Sequence, residues 1–191
     1  MASASQAGST PAMALRNNAY NKEDEMHAYI GTKLVNAKPM NRLEYNQFRG
    51  WELPADENGA DEGYLVEYVG PGQKANTAEY EGYVSWSPKY VFEEAYQPIT
   101  KLDFGGALVM LKDGEKVARA GWNGKGMYIT MKPGYPDGIA CNEATVKAHG
   151  IDVGTKITYC PYLEMKTADN KLVPWLASQT DILAEDWTIV Q

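Results

Sequence analysis

Cysteine and histidine are scarce, with two of each in 191 residues. Cys141 and Cys160 lie far apart with no second pair, so neither a disulfide framework nor a zinc cluster can be read from them. Reduced thiols in a cytoplasm are the expectation. His27 and His149 are isolated and expected at the surface, and no metal site or cofactor is predicted from them. No run approaches the roughly 20 apolar residues that span a bilayer. The opening MASASQAGSTPAMALRNNAY lacks the basic-then-apolar order of a secretion signal, so neither membrane insertion nor export is expected. A net charge of -7 argues against coating DNA or RNA backbones, which takes clustered Lys and Arg. The acidity is uneven: residues 1–98 hold 8 basic and 14 acidic side chains, residues 99–191 hold 10 and 11. An anionic ligand is therefore expected only in the C-terminal part.

What is present is a 44% hydrophobic chain with enough apolar residues for a real core. Residues 1–25, small and polar with a KEDE cluster, read as a disordered leader, with Met26 as a candidate ancestral start. A small α+β module is predicted over 26–98. It has a strand over 28–40, a helix over 41–51 entered at Asn41 and ended near Gly50, an acidic loop over 54–63, strands over 64–70 and 81–86, and a helix over 87–96 capped by Ser87 with Pro88 at its first position. The acidic loop has oxygen ligands without the EF-hand spacing for calcium.

A second α+β module, mostly antiparallel sheet with short helices, is predicted over 99–191. Asp103 caps a helix whose Phe104, Ala107, Leu108 and Leu111 recur at helical spacing, and Gly114 stops it. Strands follow over 116–120 and 127–133, then a Gly/Pro/Asp loop over 133–142 and a short helix over 142–150. Lys156 to Met165 reads as one strand, bulged or at an edge at Pro161. A turn over 167–171, a strand over 172–176, a helix over 178–186 capped by Ser178 or Thr180, and the strand WTIV complete the module.

The stretch RAGWNGKGM, residues 119–127, combines three glycines with Arg119, Trp122, Asn123 and Lys125. It lacks the GxxxxGK[ST] spacing and leads from strand to strand rather than into a helix N-terminus. Alone it is a hairpin bend with a weak claim on phosphate. PWLASQTD adds Trp175, Ser178, Thr180 and Asp181 around a helix start, where free N–H groups and hydroxyls favour an anion. Trp122 and Trp175 either pack in the core or sandwich a purine or ribose. No nucleophile elbow or metal-ligand helix accompanies these residues, and Glu164 with Asp181 makes a poor acid/base pair. The residues favour binding over turnover.

RAGWNGKGMYI followed by YLEMKTADNKLVPWLASQTDILAEDWTIV resembles the phage anti-Thoeris sponge proteins of the second type, over residues 101–191. The resemblance implies a non-enzymatic sponge. Such a protein binds, without cleaving, the cyclic ADP-ribose isomer made by bacterial Thoeris TIR proteins, and some members also sequester CBASS cyclic dinucleotides. It further implies homotetramers in the host bacterial cytoplasm with ligand pockets between subunits. The family function then falls on Trp122, Asn123, Trp175, Ser178, Thr180 and Asp181. On ligand chemistry, Trp122 and Trp175 would stack on rings, Asn123 and Asp181 would bind ribose hydroxyls or base edges, and Arg119 and Lys125 would neutralise the pyrophosphate. Residues 26–98 resemble a recurrent accessory of phage proteins, and a loop insertion near 134–155 departs from the minimal pattern. The competing readings are an enzyme that degrades cyclic nucleotides and a structural phage protein with both tryptophans in its core.

Overall fold

The computed structural model describes residues 29–191; the leader over 1–25, the start at Met26 and His27 lie outside the described residues. The fold is α+β with every strand pairing antiparallel, as the sequence predicts.

In the N-terminal part, β1 (Val35–Pro39), β2 (Gly63–Tyr68) and β3 (Tyr83–Pro88) form one sheet with β2 central. Helix α1 (Arg42–Arg49) is built as its sequence dictates. Asn41 and Glu44 exchange the two bonds of a capping box, and Gly50 closes the helix in the left-handed region at φ 67. Its Tyr45 packs with Leu65 and Val84 in a core to which Phe48 and Trp86 contribute. Helix α2 (Lys89–Ala95) lays Phe92 against the sheet, its ring stacked 4.3 Å from Tyr64 and 4.8 Å from Tyr96. The predicted cap at Ser87 is not formed. Ser87 still pairs with Tyr64 in the ladder, because the residue before a proline is confined to extended backbone, and Pro88 enters the helix without a side-chain cap.

In the C-terminal part a five-stranded sheet runs β10 (Trp187–Ile189), β4 (Val117–Arg119), β5 (Tyr128–Lys132), β8 (Tyr162–Lys166), β9 (Leu172–Pro174). Helix α3 (Phe104–Lys112) covers one face. It is capped by Asp103, whose Oδ1 accepts from the Gly106 N–H at 2.7 Å, and it buries Ala107, Met110 and Leu111 against Val117, Ile129 and Trp187. Leu108, predicted in the buried stripe, is only half-buried, and Met110 takes the deeper place. The last strand returns beside the first, Trp187 facing Arg119 across the ladder.

Two expectations fail here. The stretch predicted as a loop over 133–142 contains β6 (Tyr135–Ala140), which pairs with β7 (Lys156–Tyr159) in a separate ribbon. The turn-forming residues Pro136, Asp137 and Gly138 sit inside its bulge, where the register shifts and Gly138 adopts φ 72. The segment 134–155 is therefore ordered structure with its own helix α4 (Glu143–His149), capped by Asn142. Lys156 to Met165 is two strands in two sheets: Pro161 has no N–H to continue the ladder, and the chain switches from the ribbon to β8 there. Among the described residues no helix is long and apolar enough to cross a membrane, and no cluster of His, Cys, Asp and Glu is arranged to hold a metal.

Candidate ligand-binding site

The connection from β4 to β5 carries GWNGKG. The two strands pair only at Val117 and Ile129, so the chain diverges after Arg119 into a wide bend that needs tethers. It has three. The Trp122 N–H donates to the Arg119 carbonyl at 3.3 Å, closing a turn. The Gly121 N–H donates to Asp186 Oδ2 at 2.8 Å, and a Cβ at Gly121 would stand 3.0 Å from that oxygen, so glycine permits the approach. Gly126 takes φ 69 and its carbonyl accepts from Lys166 Nζ at 3.0 Å.

PWLASQTD reaches the same place from β9 through helix α5 (Gln179–Ile182), shorter than the predicted 178–186 helix. Ser178 is its cap, and Asp181 completes a capping box: Asp181 Oδ2 accepts from the Ser178 N–H at 3.2 Å and from Ser178 Oγ at 2.6 Å. The box occupies the N–H groups of Ser178 and Asp181, so they are not the open anion cradle the sequence suggested.

Arg119 joins the two motifs. Its NH1 reaches Asp181 Oδ1 at 3.0 Å and the Thr180 carbonyl at 3.2 Å, while its Nε donates to Asp186 Oδ1 at 2.8 Å. The Arg119 and Asp181 side chains are 19% and 13% exposed. Nε and NH1 of this guanidinium are thus paired with two internal carboxylates, and both oxygens of Asp181 already hold bonds within the fold. The tryptophans meet in the same chain. Trp122 and Trp175 lie 6.5 Å apart at 64°, and both set an edge against the fully buried Trp187, at 5.5 and 6.1 Å. Phe104 closes the cluster 5.6 Å from Trp187. A base sandwiched between two rings needs them parallel and about 7 Å apart, twice the closest stacking contact. The tilt of 64° does not provide that, so within one chain the pair offers a cornered platform instead. In the same two motifs Asn123, Lys125, Ser178 and Thr180 are exposed.

Sequence reasoning missed Trp187 and Asp186 as partners of the site. A readable sign existed: Arg119 is the only arginine after residue 49, and Asp186-Trp187 repeats the pairing of a charge with a tryptophan seen in both motifs. Two open clefts, of about 450 and 570 Å³, lie instead in the N-terminal part around Glu62, lined by none of these residues.

The electrostatics follow from the bonds. Burial pushes the Asp181 carboxyl up, but bonds from Ser178 and Arg119 outweigh it and hold the group below its ordinary range. The Arg119 bond, with the Gly121 N–H behind it, likewise lowers Asp186 against a smaller opposing effect of burial. Folded values below the unfolded value of about 3.9 mean stabilisation that is complete above that value and lost as pH falls through the folded ones. Melting temperature of the wild type is therefore expected to fall more steeply below about pH 4 than that of Asp181→Asn or Asp186→Asn. Parallel acid limbs in a pH series of thermal melts would contradict it.

The model of the Thoeris anti-defense 2-like domain matches residues 102–190. Thoeris anti-defense 2 of Bacillus phage SP01 is 43% identical over 94 residues, which cover 48% of this chain and 97% of that protein. The matched span begins at Leu102, holds both motifs and the Asp186-Trp187 pair, and ends one residue before the terminus. The resemblance read from RAGWNGKGM and PWLASQTD is thus borne out, and the chain belongs to the Thoeris anti-defense 2 family of phage anti-defence proteins.

Proposed function

We propose that the protein binds a cyclic ADP-ribose isomer made by Thoeris TIR proteins and holds it uncleaved, silencing the immune signal in the host bacterial cytoplasm. The observation that carries this reading is the meeting of RAGWNGKGM and PWLASQTD in one aromatic platform. Trp122 and Trp175 bear on Trp187, with exposed Asn123, Lys125, Ser178 and Thr180 in the same two motifs. In this reading one tryptophan stacks on the base and the other walls its side. Asn123, Ser178 and Thr180 meet ribose hydroxyls or base edges, and Lys125 supplies charge to the pyrophosphate. Arg119 and Asp181 hold the platform together from within.

Sequestration is favoured over hydrolysis by the carboxylates. A general acid at neutral pH needs a pKa raised toward 7, whereas Asp181 and Asp186 are both held below their ordinary range. Assembly into a homotetramer with pockets between subunits is part of the proposal. It is supported by Leu176 and Leu183, 91% and 78% exposed, and by Leu172 at 62% on the edge strand β9, all close in sequence to Trp175. CBASS cyclic dinucleotides share the rings and phosphates this platform suits. Residues 26–98, with a core of their own, are proposed as an accessory module.

The test is calorimetry with the cyclic ADP-ribose isomer from a Thoeris TIR reaction, followed by heat denaturation and mass spectrometry of the released nucleotide. Tight binding and an unchanged mass are expected. Trp122→Ala should lower affinity about 10- to 100-fold, the value of one base stack, in a protein whose circular dichroism remains that of the wild type. A hydrolysed nucleotide would replace the sponge with an enzyme. Global unfolding of Trp122→Ala at room temperature would favour a structural role.

A further inference from the structure

Asp186 lies outside both motifs that the ligand reading uses, yet both of its oxygens are engaged by the first of them. Oδ1 accepts from Arg119 Nε at 2.8 Å and Oδ2 from the Gly121 N–H at 2.8 Å, while its carbonyl accepts from the Ala120 N–H at 3.0 Å. Three consecutive residues of RAG are thus tied to one aspartate. The next residue along each segment completes the device, Trp122 setting its ring 5.5 Å from Trp187 at 78°. The turn around Ala120 and Gly121 has its own bond, Trp122 N–H to the Arg119 carbonyl, but at 3.3 Å that bond is long, and it leaves the Gly121 N–H to be satisfied from outside.

We propose that Asp186 is the positioning residue of the nucleotide site: by capping the turn at Gly121 and fixing Arg119, it sets the direction in which Trp122 and Asn123 leave β4. The proposal rests on the sponge reading for its effect on affinity, but its structural half stands apart from any ligand. The close approach at Gly121 is the second reason for it. A Cβ there would stand 3.0 Å from Asp186 Oδ2, so that the carboxylate would have to give by a few tenths of an ångström, and glycine and carboxylate are matched to one geometry. Without the carboxylate the Gly121 N–H turns to water, and the bend that carries Trp122 samples several conformations in place of one. A platform that must first be ordered binds more weakly by the fraction of time it is formed.

The experiment uses the full chain labelled with fluorotryptophan, the Trp122 resonance being assigned by its loss in Trp122→Phe, together with calorimetry against the same TIR-made cyclic ADP-ribose isomer. Asp186→Ala is expected to broaden or split the Trp122 line and to weaken binding about tenfold or more, the scale of one lost charge-assisted hydrogen bond. Asp186→Asn keeps an oxygen for the Gly121 N–H and should restore a single Trp122 line and most of the affinity. A sharp Trp122 line at the wild-type position in Asp186→Ala overturns the proposal, and so does an asparagine variant as impaired as alanine. If the wild type binds no nucleotide, the sponge reading falls, and the Trp122 line still decides whether Asp186 orders the bend.

Discussion

Trp187→Ala is expected to unfold the C-terminal part of the protein, at a cost of about 3–5 kcal/mol. Trp187 is fully buried, is the largest such side chain described, and touches every other ring of its cluster: Phe104, Trp122 and Trp175 lie 5.5 to 6.1 Å from it. Its indole N–H also donates to the Asp181 carbonyl at 3.0 Å inside the protein, so alanine leaves a cavity and a carbonyl held only by the longer 3.4 Å bond from the Ala184 N–H. Domains are stable by only about 5–15 kcal/mol, so the loss takes a large share of the total. For a unit of this size it corresponds to a fall in melting temperature of about 12–40 °C. Trp187→Phe keeps a ring and loses mainly the N–H, and should cost about 1–3 kcal/mol. Thermal melts followed by near-ultraviolet dichroism would separate the two. A melting point of Trp187→Ala within a few degrees of wild type would mean that Phe104 and the outer tryptophans repack into the space, and that Trp187 is not the support of the platform.

Helices and strand pairs were legible wherever one local rule decided them. Asn41 with Glu44, Asp103 and Asn142 each announced a helix start, and Gly50 announced an end. The strands at Tyr64, Tyr83, Tyr128 and Trp187 announced themselves by β-branched and aromatic runs. What failed was the outcome of competition between rules. Pro136, Asp137 and Gly138 are turn residues, but the ladder from Tyr159 to Lys156 holds their strand together across the bulge. Ser87 has the chemistry of a cap, but Pro88 fixes it in the strand. The candidate site divides the same way. That the two motifs would be read together followed from their composition, since each joins a tryptophan to polar side chains suited to a nucleotide, and in the fold Trp122 and Trp175 do meet. That Arg119 would turn inward was not readable, because the residue that captures it, Asp186, lies 67 positions away and in neither motif. Local composition says what a segment can bind; long-range pairing decides which of its groups remain free to do so.

The same division gives Asp181 its expected behaviour. Asp181→Ala should destabilise the protein by about 3 kcal/mol, because it removes together the acceptor of Arg119 NH1 and the acceptor of the Ser178 N–H and hydroxyl, leaving of the capping box only the Asp181 N–H on Ser178 Oγ. The helix it caps has four residues, too short to hold by its own backbone bonds, so residues 179–182 should lose their fixed position beside Trp187, whose indole bonds the Asp181 carbonyl. Asp181→Asn keeps the shape and one acceptor oxygen and should cost about half as much. This pair of variants separates a supporting carboxylate from a ligand contact. If Asp181 supports the platform, affinity for the cyclic nucleotide follows stability: strongly reduced in the alanine variant, and close to wild type in the asparagine variant once the protein is folded. If Asp181 instead binds a ribose through its charge, the asparagine variant should lose affinity about tenfold or more, the scale of a hydrogen bond to a charged group, with little change in melting temperature. The bonds on both of its oxygens favour the first outcome. Arg119 already bonds one of its oxygens and Ser178 the other, and displacing either would expose a charge or a helix end that the fold has enclosed.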